Sequence, residues 1–137
     1  MKKLLVTGLN GFVGRHLQAL LEGAPSSWQL LESPAHDLLE PASLDAWLQD
    51  DCPDAVIHLA GQTFVPEAFR DPAQTIKVNL LGTLNLLQAL KRRGFSGTFL
   101  DVSSGDVYGQ VAEDELPIRE CRLPQPRNPY AVSKVAA

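Results

Sequence analysis

Tyr130 and Lys134 stand four residues apart, which on a helix puts a phenol and an ammonium on one face. A free phenol ionises near pH ~10 and a neighbouring cation favours the phenolate, so the pair suits proton donation at neutral pH. Ser103 and Ser104 close an apolar run and supply hydroxyls at the carboxyl end of an expected strand, where open parallel sheets bind ligands. Near the start, Thr7-Gly8-Leu9-Asn10-Gly11-Phe12-Val13-Gly14 sets glycines at the first, fourth and seventh places of a turn. Such a turn lets main chain approach a pyrophosphate and aims the first amides of a helix at it. Its spacing departs from the G-x-G-x-x-G of ordinary dinucleotide folds, and a tight strand-to-helix connection is the lesser alternative reading.

Further candidates lie between these two ends. Glu32 follows the second expected strand, where a carboxylate would reach an adenosine ribose and suit NAD; it also reads as a solvated side chain. Arg15 could instead favour the 2'-phosphate of NADP. Asp37 could reach the adenine side or serve a turn. His58-Leu59-Ala60-Gly61 ends a strand in small residues that would let a cofactor lie against backbone, with the His58 ring itself better read as buried and hydrogen-bonded. Asn79, set among leucines of a long helix, must bond backbone or water there.

The elements that would position these groups follow from periodicity. Leu4 to Thr7 is a strand-length apolar run, and Val13, Leu17, Leu20 and Leu21 then take up helical spacing until Gly23. Trp28 to Leu31 is a second run, a brief strand is possible at Asp37 to Leu39, and Leu44, Trp47 and Leu48 mark a short helix capped by Ser43. Ala55 to Ala60 and Thr98 to Ser103 read as strands buried on both faces. Between them, Pro66 to Arg70 makes a helical turn, and a long helix runs through Ile76, Leu80, Leu84, Leu87 and Leu90 to a stop at Lys91-Arg92-Arg93-Gly94. A proline-rich stretch from Ser104 to Asn128 has no period, and a last helix opens at Pro129-Tyr130. Strands alternating with helices predict an α/β chain whose parallel sheet is doubly wound, with helices on both faces.

The chain has 137 residues, enough for one domain and too few for two. Twelve basic against sixteen acidic residues give a net charge of -4, which leaves no basic stripe for nucleic acid or a membrane surface. The opening apolar run is too short for a secretory signal and no later run could span a bilayer, so the chain reads as cytoplasmic. Cys52 and Cys121 are lone, expected to be buried or idle thiols, and no metal site is expected.

Taken together, these residues resemble the short-chain dehydrogenase/reductase superfamily in its extended branch, the NAD-dependent epimerases and dehydratases. The likeness rests on Thr7-Gly8-x-x-Gly11-Phe12-Val13-Gly14, His58-Leu59-Ala60-Gly61, Asn79 with Gly82-Thr83, Ser103-Ser104-Gly105-Asp106-Val107-Tyr108-Gly109 and Asn128-Pro129-Tyr130-x-x-x-Lys134, in that family's order and spacing. It implies a Rossmann-type domain over 1–137 that binds NADPH or NADH through Gly8, Asn10, Gly11, Phe12, Val13, Gly14, Glu32, Asp37, Leu38, Leu59, Ala60, Gly61, Tyr130 and Lys134. Within the branch, Gln62 to Phe69, Ser103 to Gly109 and Arg127 to Lys134 most resemble GDP-4-keto-6-deoxy-D-mannose reductases, which make GDP-D-rhamnose.

By that resemblance Tyr130 would protonate the sugar C4 oxygen, Lys134 would hold the nicotinamide ribose and favour ionisation of the phenol, Ser104 would hydrogen-bond the carbonyl, and Asn79 would help order the relay. Ser103, Ser104, Asp106 and Tyr130 would face a GDP-sugar. Where 4,6-dehydratases of the family carry Glu, this chain has Asp106, whose carboxylate would stop about an ångström short, a misplacement that can cost on the order of 10²-fold. Reduction of a ketone needs no such base, which favours a reductase over a dehydratase or 4-epimerase. A non-catalytic dinucleotide sensor is the reading from another class, and the joint presence of Ser104, Tyr130 and Lys134 argues against it. Relatives carry a further substrate domain after the Tyr-Lys helix. The chain is therefore expected to be the incomplete N-terminal, cofactor-binding part of a longer enzyme, inactive alone and homodimeric at full length.

Overall fold

The computed structural model describes residues 1–23, 27–31, 37–48 and 52–137. Its centre is a four-stranded parallel sheet of β1 (Lys2–Thr7), β2 (Trp28–Leu30), β3 (Ala55–His58) and β4 (Thr98–Asp101), in the order β2-β1-β3-β4. Leu5 pairs with Val56, and Val56 with Phe99, so these three side chains emerge on one face. On that face Leu5 and Val56 join Leu31, Leu44, Leu48, Leu86, Ala89 and Leu90 in one buried cluster, with Phe99 packed against it. The covering elements there are α2 (Pro41–Trp47) and α5 (Gly82–Arg92). The opposite face carries Leu4, Ile57 and Leu100, over which α1 (Phe12–Gly23) stands through Leu17 and Leu21.

Sequence and structure differ in several places. Asp37 to Leu39 forms a turn and no strand, because the Asp37 carboxylate accepts the Leu39 amide at 2.8 Å and closes the chain locally. Helix α2 begins at Pro41 with Glu40 before it, so Ser43 lies inside the helix; Pro41 at the first position fixes the helical φ three residues early. Strand β3 ends at His58 and β4 at Asp101, short of the predicted Ala60 and Ser103. Nor is β4 buried on both faces: it is an edge strand among the described residues, and Leu100 is 52% exposed. Cys52 and Cys121 are free and exposed, so of the expectation of buried or idle thiols the burial fails.

The predicted single long helix is three pieces in continuous succession. α4 (Pro72–Ile76) is capped by Asp71, whose carboxylate accepts the Gln74 amide at 2.9 Å; α5 closes the run, and between them Lys77–Leu81 widens into a π turn. The short α3 (Val65–Arg70) precedes them. The C-terminal stop stands as read: Gly94 takes φ 73°, and the Phe95 amide returns to Leu90 O at 3.0 Å. α6 (Pro129–Ala136) then packs against α3, α4 and the π turn.

Core and surface leucines should separate cleanly in stability. Leu86→Ala, at a fully buried site, is expected to cost about 2 to 5 kcal/mol, whereas Leu20→Ala, 68% exposed, should stay within about 0.5 kcal/mol. Urea denaturation of both variants checks this, and equal losses would contradict the assignment of the core.

Candidate functional site

The glycine turn is shaped by close main-chain packing. Gly8 has φ 78°, and a Cβ there would stand 2.8 Å from the Ala60 nitrogen, so the end of β1 can lie against the end of β3 only without a side chain. Gly14 is buried, and a Cβ would run into Gly8 O and the Leu9 main chain, which lets α1 start hard against the turn. Gly11 donates to Gly8 O at 3.0 Å and is exposed, leaving its backbone open to an approaching group. Phe12 and Val13, at the first turn of α1, are 76% and 56% exposed. The first amides of a helix have no partner within it, so they point at this space as anion donors.

At the other end, Asn128 accepts the Ala131 amide at 2.7 Å and starts α6 with Pro129 in the first position. Tyr130 is buried to 8% exposure, and among the described residues none hydrogen-bonds its hydroxyl. The Lys134 ammonium donates to Val102 O, just past β4, at 2.9 Å. Ser104 accepts the Asp106 amide at 3.2 Å and so caps a 3-10 turn at Gly105–Tyr108. That turn is held to the chain before α6: Gln125 donates to Val107 O at 2.9 Å, and Gly109, at φ 65°, lets the Gln125 carbonyl pass where a Cβ would sit.

These elements enclose one cleft of about 470 Å³ at the carboxyl ends of the strands. Of the predicted residues, Gly8, Gly11, Phe12, Val13, Gly14, Leu59, Ala60, Gly61, Ser103, Tyr130 and Lys134 line it, with Val102 and Thr63. Asn10, Asp37, Leu38, Ser104, Asp106 and Asn79 do not line it. Leu38 packs on the main core and against Gly82, and its carbonyl accepts from Asn85 at 2.9 Å. Glu32 lies outside the described residues. A larger cleft of about 970 Å³ runs from the amino ends of the strands, beside Lys2, Trp28 and Asp54, along the sheet face beneath α1 at Leu4, Ile57 and Leu100. It lacks the helix start and the phenol-ammonium pair, and ligands of open parallel sheets bind at carboxyl ends. The smaller cleft has the groups a dinucleotide needs: the first amides of α1 are main-chain donors for phosphates, Gly11 beside them carries no side chain to block the approach, and Tyr130 and Lys134 stand on the same opening.

Behind the cleft lies a polar layer that periodicity did not show. Asn79, in the π turn and 2% exposed, accepts the Gln62 amide at 2.7 Å and donates to Gln62 O at 2.9 Å and to Ser133 Oγ at 2.8 Å. Ser133 in turn donates to Tyr130 O at 2.6 Å. His58 is buried between the hydroxyls of Thr7, 2.7 Å away, and Thr83, 2.9 Å away. The signals for Ser133 and Thr83 were present: one lies between Tyr130 and Lys134, the other four residues after Asn79. Among the described residues no group of three His, Cys, Asp or Glu could hold a metal.

Burial lowers the His58 pKa from 6.5 to about 4, opposed by the charge of Asp101 and assisted by that of Lys134. The unfolded ring gains its proton near 6.5 and the folded ring only near 4, so in that window the unfolded state holds more protons. Stability is therefore expected to fall as the pH drops through it, by on the order of 3 kcal/mol in all. Denaturation midpoints across this range should show the slope, and His58→Phe should remove most of it; an unchanged slope would assign it to other groups.

The NAD dependent epimerase/dehydratase family matches residues 4–137. The chain is 70% identical over 138 residues to GDP-6-deoxy-D-mannose reductase of Pseudomonas aeruginosa, covering 99% of this chain and 45% of that protein. It is 34% identical to GDP-6-deoxy-D-talose 4-dehydrogenase of Aggregatibacter actinomycetemcomitans, covering 96% of this chain and 45% of the relative. Among solved structures, RMD from Pseudomonas aeruginosa complexed with NADPH superposes with a TM-score of 0.95 at 70% identity, covering 100% of this chain and 47% of that one. The chain thus spans somewhat under half the length of these relatives. Its glycine turn, its Tyr130-Lys134 helix and its parallel sheet are those of a member of the NAD dependent epimerase/dehydratase family, to which this chain belongs.

Proposed function

We propose that this chain is the N-terminal, cofactor-binding part of an NADPH-dependent reductase that converts the C4 ketone of GDP-4-keto-6-deoxy-D-mannose to the alcohol of GDP-D-rhamnose. The observation that carries this reading is the shared cleft, with the glycine turn on one side and Tyr130 and Lys134 on the other. The likeness to a GDP-6-deoxy-D-mannose reductase and to a structure holding NADPH supports the substrate and the cofactor. The bound dinucleotide supplies hydride; the chain supplies orientation, proton and charge.

In this reading Gly8, Gly11 and Gly14 let main chain meet the pyrophosphate, and Leu59, Ala60 and Gly61 give the dinucleotide a smooth bed. Glu32 and Asp37 belong to its adenosine side, and Asn10 and Leu38 are cofactor residues in the same reading. Tyr130 would give its hydroxyl proton to the C4 oxygen of the ketone as that carbonyl becomes an alcohol. Lys134, fixed by Val102 O, stabilises the negative charge that develops on the phenol oxygen. Ser104, whose oxygen already accepts the Asp106 amide, has its hydroxyl hydrogen for the carbonyl. Asp106 is exposed on the 3-10 turn and one methylene shorter than the base of a dehydratase, so the reaction ends at reduction.

Tyr130→Phe in the intact protein should lower kcat by on the order of 10² to 10⁴-fold and change NADPH affinity less than about threefold. Kinetics and cofactor fluorescence measure the two. Product analysis separates the alternatives: a dehydratase or epimerase would show no net oxidation of NADPH, and a dinucleotide sensor would bind it without turnover.

A homodimer and a cytoplasmic location belong to the same reading. No described helix is long and apolar enough to cross a membrane. On the long helix Ile76, Leu84 and Leu87 are 36% to 43% exposed, apolar side chains that a second copy would cover. Light scattering of the intact protein should give a dimer, and Leu84→Glu a monomer; a monomeric parent would refute the interface.

A further inference from the structure

The polar layer behind the cleft permits an assignment of every hydrogen in it. Thr83 Oγ1 lies 2.6 Å from Asn79 O and 2.9 Å from His58 Nε2. A carbonyl only accepts, so the one hydroxyl hydrogen of Thr83 goes to Asn79, and the ring must donate through Nε2. On the ring's other side, Thr7 Oγ1 lies 2.7 Å from Nδ1 and 3.2 Å from the Ala60 nitrogen. An amide only donates, so the Thr7 oxygen accepts from Ala60 and its hydrogen remains for Nδ1.

A neutral ring protonated on Nε2 satisfies all of these contacts in one direction. The chain runs from the Ala60 amide to Thr7, through His58 to Thr83, and ends on Asn79 O. The opposite tautomer would turn the Nε2 lone pair towards an oxygen whose hydrogen is already committed. Burial keeps the ring neutral at physiological pH.

Both ends of this chain matter to the cleft. Ala60 lines it, beside the Gly8 turn. Asn79 sits in the widened turn and reaches Ser133 Oγ, which holds Tyr130 O on α6. The bond from Thr83 fixes the Asn79 carbonyl while the Asn79 amide group is engaged with Gln62 and Ser133. Rotation of the π turn would therefore move the donor that locates the catalytic helix.

We propose that His58 is a positioning residue for the Tyr130 chemistry: held between Thr7 and Thr83 as its Nε2–H tautomer, it ties the cofactor edge of the sheet to the π turn and thereby sets where α6 presents Tyr130. The kinetic part of this rests on the reductase reading above. Nothing in it requires the ring to touch substrate or cofactor.

Three variants and two NMR measurements of the intact protein test it. Nitrogen-resolved NMR of the imidazole at neutral pH should show His58 protonated on Nε2 and bare on Nδ1; an Nδ1–H or doubly protonated ring would overturn the proposal. Thr83→Val keeps the shape but removes the hydroxyl. It should lower kcat by roughly 10 to 100-fold with KM within about threefold, as a displaced proton donor would. Thr83→Ser should restore kcat to within about threefold of the parent. His58→Phe should match Thr83→Val; should it fail to fold, the threonine pair still decides. A Thr83→Val enzyme within about twofold of the parent in kcat would refute the link. If the intact protein reduces no keto-sugar, the functional reading fails separately. The positioning is then read from the amide resonances of Tyr130 and Ser133, which Thr83→Val should shift; unmoved resonances would end it.

Discussion

The cleft depends on how closely the carboxyl end of β1 lies against that of β3. Gly8 turns away from the sheet with a positive φ and leaves the Ala60 amide within reach of Thr7 Oγ1, an approach that any Cβ at Gly8 would prevent. The same contact aims α1 across the strand ends, because Gly14 can then sit on Gly8 O. Phosphate donors and the polar layer beneath them thus come from one backbone crossing. A side chain added there would disturb both at once.

The polar layer costs the protein buried hydroxyls, an amide and an imidazole, and each would be unfavourable if left unpaired. They are tolerated because each donor meets an acceptor. The widened turn at Lys77–Leu81 is part of the solution. Asn79 stands in that turn at 2% exposure, where its side-chain amide meets both main-chain groups of Gln62 and the Ser133 hydroxyl.

Much of this was legible from residue types. The strand-turn-helix at Gly8 to Gly14, the stop at Gly94 and the helix start at Pro129 follow from local rules, and the structure has all of them. Asn79 was recognisable as an amide that must bond backbone, and it bonds both main-chain groups of Gln62. Boundaries set by competition between side chain and main chain were not legible. Asp37 resembles a strand residue until its carboxylate takes the Leu39 amide, and Ser43 resembles a cap until Pro41 starts the helix earlier. The π turn left no trace because leucine spacing of four residues continues through it. Nor does an apolar run announce that its strand lies at an edge, which is why β4 read as covered on both sides.

The bond from Lys134 to Val102 O has an evolutionary corollary. Its acceptor belongs to the main chain, so every amino acid that could occupy position 102 carries it equally. Drift at that position can reshape the cleft wall that the Val102 side chain lines, but it leaves the ammonium where it is. Only a change in the path of the strand itself could withdraw the anchor, which makes the backbone trace, more than any side chain beside it, the heritable element of this part of the cleft.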